Sequence, residues 1–195
     1  MIKEIKLPKP KEKGLTSIEE TLNKRRSIRD YKKGPLDLKE ASQLLWAASG
    51  KNLYGRTAPS AGATYPLETY LVVGDVEGLE PGIYHYYYST HSLERIKEQD
   101  IRNRLSQAAL GQRMIERAPI NIVIAADYGR TTGSYGQRGI RYVHMEVGHV
   151  GQNISLQAVA LNLGTVMIGA FEDKQVKEIL GIEEEPLYII PIGKI

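Results

Sequence analysis

The 195-residue chain contains no cysteine. That absence excludes disulfides, cysteine-bound zinc or iron–sulfur clusters, and a thiol nucleophile. It also fits a reducing compartment. No apolar run approaches the roughly 18 residues of a membrane-spanning helix. Met1 to Lys13 is too charged for the apolar region of a signal peptide, so a soluble, cytoplasmic chain is expected. Neither sign of charge dominates: 26 Lys and Arg stand against 23 Asp and Glu, a formal net charge of +3. So weak a basic excess argues against a nucleic acid partner and is compatible with a small anionic ligand. Phe and Trp occur once each, against twelve Tyr. Tyr joins an apolar ring to a polar tip, which suits half-buried strand positions as well as interfaces and pocket walls. At 42% hydrophobic and 25% charged, the composition is that of a globular protein of one domain.

Residues 1–14, rich in Lys, Glu and Pro, are expected to form an extended arm. Ser17 and Glu20 have capping-box spacing and open a short helix towards Arg25. Asp37 and Glu40 repeat that signal, and Leu38, Ala41, Leu44, Leu45 and Ala48 continue at helical spacing as far as Gly50. Residues 51–66 predict a loop and 68–73 a strand. Residues 82–88 and 93–96 predict a hairpin. A helix is expected over 101–117, broken at Gly111 and stopped before Pro119. Ile120–Ala126 is a continuous apolar run, as in a central strand covered on both faces. Residues 128–139 carry four glycines with Arg130, Tyr135, Gln137 and Arg138, and predict a loop long enough to choose a substrate. The longest helical pattern, 140–163, is apolar or small on most faces and calls for burial in a core or a subunit interface; Gly164 is its expected stop. A short strand at 165–169, a helix at 173–180 and a strand at 187–192 complete the chain. Without regular βαβ alternation the pattern predicts an α+β fold, with a mixed sheet flanked by helices.

Three segments could carry chemistry. Arg25-Arg26-Ser27-Ile28-Arg29-Asp30-Tyr31 offers guanidinium forks and a hydroxyl to a ligand with several anionic oxygens. The same residues also suit a solvated basic helix end. Pro59-Ser60-Ala61-Gly62-Ala63-Thr64-Tyr65-Pro66 places small residues between two prolines, over which a flat ligand can approach the backbone; a plain surface turn has the same composition. Gly164-Thr165-Val166-Met167-Ile168-Gly169-Ala170-Phe171, a strand ending in Gly-Ala, can present bare backbone N–H groups, or simply turn a core strand. His144 and His149 lie five apart, which is not a same-face helical spacing, so no metal site is expected. No Gly-x-Ser-x-Gly, Gly-x-Gly-x-x-Gly or Walker-type loop occurs.

In this order, from Ser17 onwards, the segments resemble the nitroreductase superfamily of FMN flavoproteins. Ala118-Pro119 before the apolar run, Glu146-Val147-Gly148-His149-Val150-Gly151-Gln152-Asn153 in the long helix, and Leu163-Gly164-Thr165 add to the likeness. The Gly148-His149 and Gln152-Asn153 pairs, with Ala63-Thr64-Tyr65-Pro66, look most like the SagB-type branch, which includes azoline dehydrogenases. The resemblance implies an interlocked homodimer with FMN at the interface and the long helix as its centre. It implies that Arg25 and Ser27, helped by Arg26, hold the flavin phosphate and ribityl chain, and that Arg29 lies by N1 and the C2 oxygen. Pro59, Ser60, Ala61 and Gly62 would come from the second subunit to line the ring. Met167, Ile168 and Gly169 would flank N5 and O4, the last two with backbone N–H groups, and Lys194 is the basic residue offered for the phosphate near the last strand's end. The implied function is hydride transfer from NADH or NADPH through flavin N5 to a nitroaromatic or quinone. A flavin carrier or sensor without turnover, or an azoline dehydrogenase, are the alternatives.

Overall fold

In the computed structural model, which describes residues 4–195, seven strands build one sheet: β1 (Glu4–Lys6), β2 (Leu67–Val73), β3 (Gly82–Tyr87), β4 (Ser92–Lys97), β5 (Ile120–Ala126), β6 (Leu163–Thr165) and β7 (Glu185–Lys194). Their order is β1-β4-β3-β2-β5-β7-β6. Every pairing between these strands is antiparallel, where a mixed sheet was expected. The β2–β3 and β3–β4 connections are short, whereas the chain crosses over through α3 and α4 to bring β5 beside β2. β5 is buried at all seven positions, with β2 on one side and β7 on the other.

Seven helices cover both faces: α1 (Ile18–Lys24), α2 (Leu38–Ser49), α3 (Arg102–Ala108), α4 (Arg113–Arg117), α5 (Tyr128–Tyr135), α6 (Arg138–Ala160) and α7 (Asp173–Leu180). Period-two alternation divides β5 between two cores. Ile120, Ile122 and Ile124 join Leu44, Leu45, Val143, Val150 and Ile154 of α2 and α6. Val123 and Ala125 join Leu105, Ile115, Val176 and Leu180 of α3, α4 and α7. Burying one Ile side chain contributes on the order of 1.5–3 kcal/mol, so this double-sided strand is the main source of cohesion.

The local signals act unequally. At α2 the capping box is complete: Asp37 accepts from Glu40 N–H at 2.7 Å and Glu40 accepts from Asp37 N–H at 2.8 Å. At α1 only half of it forms: Ser17 accepts from Glu20 N–H, while the Glu20 carboxylate turns to Lys24 one turn on. The break between α3 and α4 falls where Leu110 and Gly111 adopt left-handed backbone.

Several expectations need correction. Residues 1–3 of the expected arm lie outside the described residues, and residues 4–6 are not free but pair with β4 as an edge strand. The expected loop 128–139 is the helix α5 up to Tyr135, capped by Asp127, which accepts from Gly129 N–H, and packed on α6. Packing there outweighs the poor helix propensity of its glycines. Helix α6 starts at Arg138 and ends at Ala160, and Asn162, with φ 57°, makes its left-handed exit. Gly164 is instead a strand residue: a Cβ there would stand 2.8 Å from the Ile28 side chain. The strand expected over 165–169 sits at 163–165, with Ile168 forming a separate bridge to Ile189. Within one chain α6 is buried along one face only: Val143, Val147, Val150, Ile154 and Ala158 point inward, whereas Ile140 and Met145 are 37% and 51% exposed.

Removing the complete cap should matter more than removing the half-formed one. Asp37→Ala is expected to lower the unfolding free energy by about 0.5–2 kcal/mol, with Ser17→Ala at or below the lower figure, both read from urea denaturation midpoints.

Candidate functional site

Arg25 caps the C-terminus of α1, and from there the chain runs extended rather than helical. Ile28 N–H donates to the Thr165 carbonyl at 2.9 Å, and Lys32 N–H donates to the Lys194 carbonyl at 2.8 Å. The Tyr31 hydroxyl lies 3.0 Å from the Ile28 carbonyl and 3.2 Å from the Pro191 carbonyl, within donating distance of both. These bonds lay residues 25–32 along the β6 and β7 edge of the sheet. An extended backbone sends successive side chains to opposite sides. Arg25, Ser27 and Arg29 therefore line one cavity of about 300 Å³. Arg26 and Ile28 line an adjoining one of about 400 Å³. Ser155 and Thr165 belong to both walls. Arg26 is absent from the first cavity, but a third cavity, of about 520 Å³, is lined by Arg26 together with Ser27 and Arg29.

The rest of the first cavity comes from Gly148, Gly151, Gln152 and Ser155 of α6, from Thr165, Val166 and Met167, and from Tyr188 of β7. No acidic residue lines it, and neither Arg25 nor Arg29 forms an ion pair among the described residues. Two unpaired guanidinium groups with hydroxyl and amide donors make a surface suited to anionic oxygens. The size falls at the lower end of ligand pockets, about 300–1,000 Å³. Gly148, Gly151 and Gln152 entered the sequence reading only through the family likeness and Ser155 not at all; together the four form an i, i+3, i+4, i+7 stripe on α6. Thr165 and Val166 belong to the 164–171 segment that the sequence singles out, whereas Tyr188 was missed, because its position depends on how β7 pairs.

The backbone around residue 168 divides differently from expectation. Ile168 N–H donates to the Ile189 carbonyl at 2.9 Å, and Ile189 N–H returns a bond at 3.0 Å. Both polar groups of Ile168 are spent within the sheet, so its N–H cannot serve a ligand. The N–H groups of Met167 and Gly169 have no backbone acceptor among the described residues. Lys194 lines neither cavity.

Pro59, Ser60, Ala61 and Gly62 also lie outside both cavities, on a 3-10 turn over 61–63 that meets α5 and α6 elsewhere. Left-handed backbone recurs here at Gly62 (φ 57°), Ala63 (φ 54°) and Tyr65 (φ 46°). Each non-glycine residue held so costs roughly 1–3 kcal/mol. Ser60 Oγ accepts from Tyr65 N–H at 2.9 Å. The Arg56 guanidinium lies between the rings of Tyr65 and Tyr88, 4.4 and 3.6 Å from their centroids. Below, on α6, the side chain of Glu146 is buried. Burial pushes its carboxyl above the ordinary 4.5, against a hydrogen bond from Ser60 and the positive charge of Arg56.

Three of the four histidines are occupied in polar contacts: His85 with Glu68, His91 with Tyr86 and Ser42, and His144 with Tyr128. No group of three potential metal ligands occurs among the described residues. No described helix is long and apolar enough to cross a membrane.

Residues 22–194 match the family described as the nitroreductase family. A protein of Methanocaldococcus jannaschii, provisionally named a nitroreductase, is 51% identical over 193 residues, 98% of this chain and 96% of that one. A solved structure from Anabaena variabilis, also provisionally named a nitroreductase, superposes with a TM-score of 0.88 at 34% identity. The match covers 99% of this chain and 42% of that one, so this chain spans less than half of that protein. The microcin synthetase complex of E. coli has a TM-score of 0.75 at 22% identity over 97% of this chain and 77% of its own. The NADPH:FMN oxidoreductase of Vibrio harveyi, solved with NAD+, has a TM-score of 0.67 at 22% identity, with 91% and 68% covered. The last two likenesses are of fold.

Glu146 supplies a pH test. A carboxyl whose pKa is raised in the fold favours folding while protonated, and that contribution is lost as pH rises from 4.5 through the raised value. Glu146→Gln should therefore be more heat-stable than the natural chain at neutral pH, and the gap should close in acid below the ordinary carboxylate range. Melting curves over that span decide it.

Proposed function

The chain belongs to the nitroreductase family, and on that premise we propose that it is an FMN-dependent oxidoreductase, working in the cytoplasm as a homodimer. In this reading it passes hydride from NADH or NADPH through flavin N5 to an acceptor such as a quinone or a nitroaromatic. The observation that carries it is the cavity into which Arg25, Ser27 and Arg29 converge without a carboxylate to neutralise them. A solved structure that shares the fold is named for NADPH and FMN.

The residues present fit FMN, which when bound supplies the reversible hydride chemistry of its ring. Arg25 and Ser27 hold the phosphate and ribityl oxygens. Arg26 and Lys194, outside that cavity, add positive field rather than direct contacts. Arg29 places a fixed positive charge at the N1 and C2-oxygen edge, where reduction accumulates negative charge, and so favours the reduced form. Gly169 N–H, left free where the Ile168 amide is not, donates at the N5 and O4 edge, and Met167 flanks it. Pro59, Ser60, Ala61 and Gly62 reach the ring from the second chain, which accounts for their distance from the basic cavity of their own chain. The second copy also covers apolar surface that one chain leaves open: Leu15, Ile18, Leu22, Leu53 and Tyr54, with Ile140 and Met145 of α6. The likeness to microcin synthetase is one of fold and gives no reason to prefer an azoline substrate.

An absorbance spectrum of the purified chain, with identification of heat-released ligand, tests the cofactor. Flavin bands and about one FMN per chain are expected; a colourless chain that also fails to take up added FMN overturns the proposal. Arg29→Ala should slow reduction by NADH or NADPH about 10- to 100-fold and lower the flavin potential, as for a lost charge-assisted hydrogen bond of about 1.5–3 kcal/mol. Unchanged reduction kinetics in stopped flow would remove that role from Arg29.

A further inference from the structure

The strained turn at 60–65 is braced from outside itself, and the brace comes from the helix whose sequence predicts a loop. Arg130 of α5 donates from Nη1 to the Tyr65 carbonyl at 3.1 Å. One residue on, the hydroxyls of Thr131 and Thr64 share a hydrogen bond of 2.8 Å, and Thr131 is buried. Arg130 is itself fixed at two further points. Its Nη1 lies 2.6 Å from Glu68 Oε1, and its Nε lies 3.3 Å from Oδ2 of Asp127, the residue that caps α5. Glu68 is held on its other oxygen by His85 Nε2 at 2.9 Å. Burial raises the Glu68 carboxyl, but the bonds from His85 and Arg130 outweigh it and keep the group below its ordinary range, hence ionised.

From the other side, Tyr65 is tied by the Ser60 hydroxyl on its N–H and by the Arg56 guanidinium on its ring. Both backbone polar groups and the side chain of one residue are therefore held by three different partners. Ala63 and Tyr65 occupy left-handed backbone that an unheld loop abandons for the right-handed or extended regions. Pro59, Gly62 and Ala63 are exposed and contribute nothing to either core, so the brace does not serve packing. What it fixes is the direction in which residues 60–62 face.

We propose that Arg130 is a positioning residue: held by Glu68 and Asp127, it clamps the Tyr65 carbonyl and thereby keeps Ser60–Gly62 in the one conformation that fits a flavin ring. The proposal rests on the FMN reading for the identity of the ligand, and on this chain's own contacts for the clamp. Arg130 need not touch the ring. It lowers the ordering cost of binding by holding the turn before the ligand arrives.

The clamp has consequences with or without ligand. In Arg130→Ala, amide hydrogen exchange over residues 61–65 should accelerate at least tenfold in the ligand-free chain, while the β5 amides keep their natural rates. The FMN dissociation constant should rise about tenfold, as expected for one lost charge-assisted hydrogen bond. Guanidinium chloride at a millimolar, non-denaturing concentration should restore both, because it can occupy the vacated position between Glu68 and Tyr65; general loosening would not be reversed by it. Arg130→Lys, which keeps the charge beside Glu68 but lacks the planar fork, should fall between the two and serves if the alanine variant does not fold. Exchange and affinity both within twofold of the natural chain in either variant overturn the clamp, as does a defect in Arg130→Ala that guanidinium leaves unchanged. If the natural chain binds no FMN, the proposed function falls and the clamp stands or falls on exchange alone.

Discussion

A single backbone hydrogen bond, from Ile28 N–H to the Thr165 carbonyl, sets the chemistry of the basic cavity. It binds residues 25–29 to the sheet edge as an extended segment, and extension is what sorts their side chains. Had α1 continued for one more turn, Arg25 and Arg29 would have shared one face four residues apart, with Ser27 turned away. The extended form puts all three on one surface without Arg26, which meets Ser27 and Arg29 in a separate cavity. The bond needs β6, which needs β7, which needs β5. Gly164 takes part directly, since any side chain there would push Ile28 off the edge.

The elements that were legible in the sequence carry their own cause. α2 has a complete capping box and a periodic apolar face. β5 is apolar at six of its seven positions, and its lone Asn121 spends its Nδ2 on the Ile115 carbonyl. α7 ran from Asp173 to Leu180 as expected, ending at a left-handed Gly181. The helix α5 was not legible because Gly129 and Gly133 argue for a loop and the local signal against it is a lone cap at Asp127. Its cap and its packing on α6 decide the matter, and only the latter is tertiary.

At the candidate site, residue types were legible and their grouping was not. Arg25, Ser27 and Arg29 signalled an anionic ligand by composition. The absence of Arg26 from the cavity that Arg25 shares with Ser27 and Arg29 followed from backbone form, and the loss of Ile168 as a donor followed from pairing with Ile189. Tyr188 had no motif around it; it enters the wall because β7 alternates and because Gly151 of α6 leaves room for its ring. The turn at 59–66 was legible as rigid because of its prolines and small residues. Its actual rigidity comes from Arg56, Glu68 and Arg130, residues outside the motif.

The basic cavity is walled by Arg25 near one end of the chain and by Tyr188 near the other, with α6 and residues 165–167 between them. β7 is the last strand in sequence, and it is also the one on which β6, residue 168 and the extended segment all depend. The cavity therefore does not exist until β7 has paired with β5, because β6, residue 168 and the extended segment are all gathered on that strand. Early contacts such as the β3–β4 hairpin can form well before that, since they close short loops. A lesion that unpairs β7 would thus erase the cavity, although Tyr188 is the one residue of that strand in its wall.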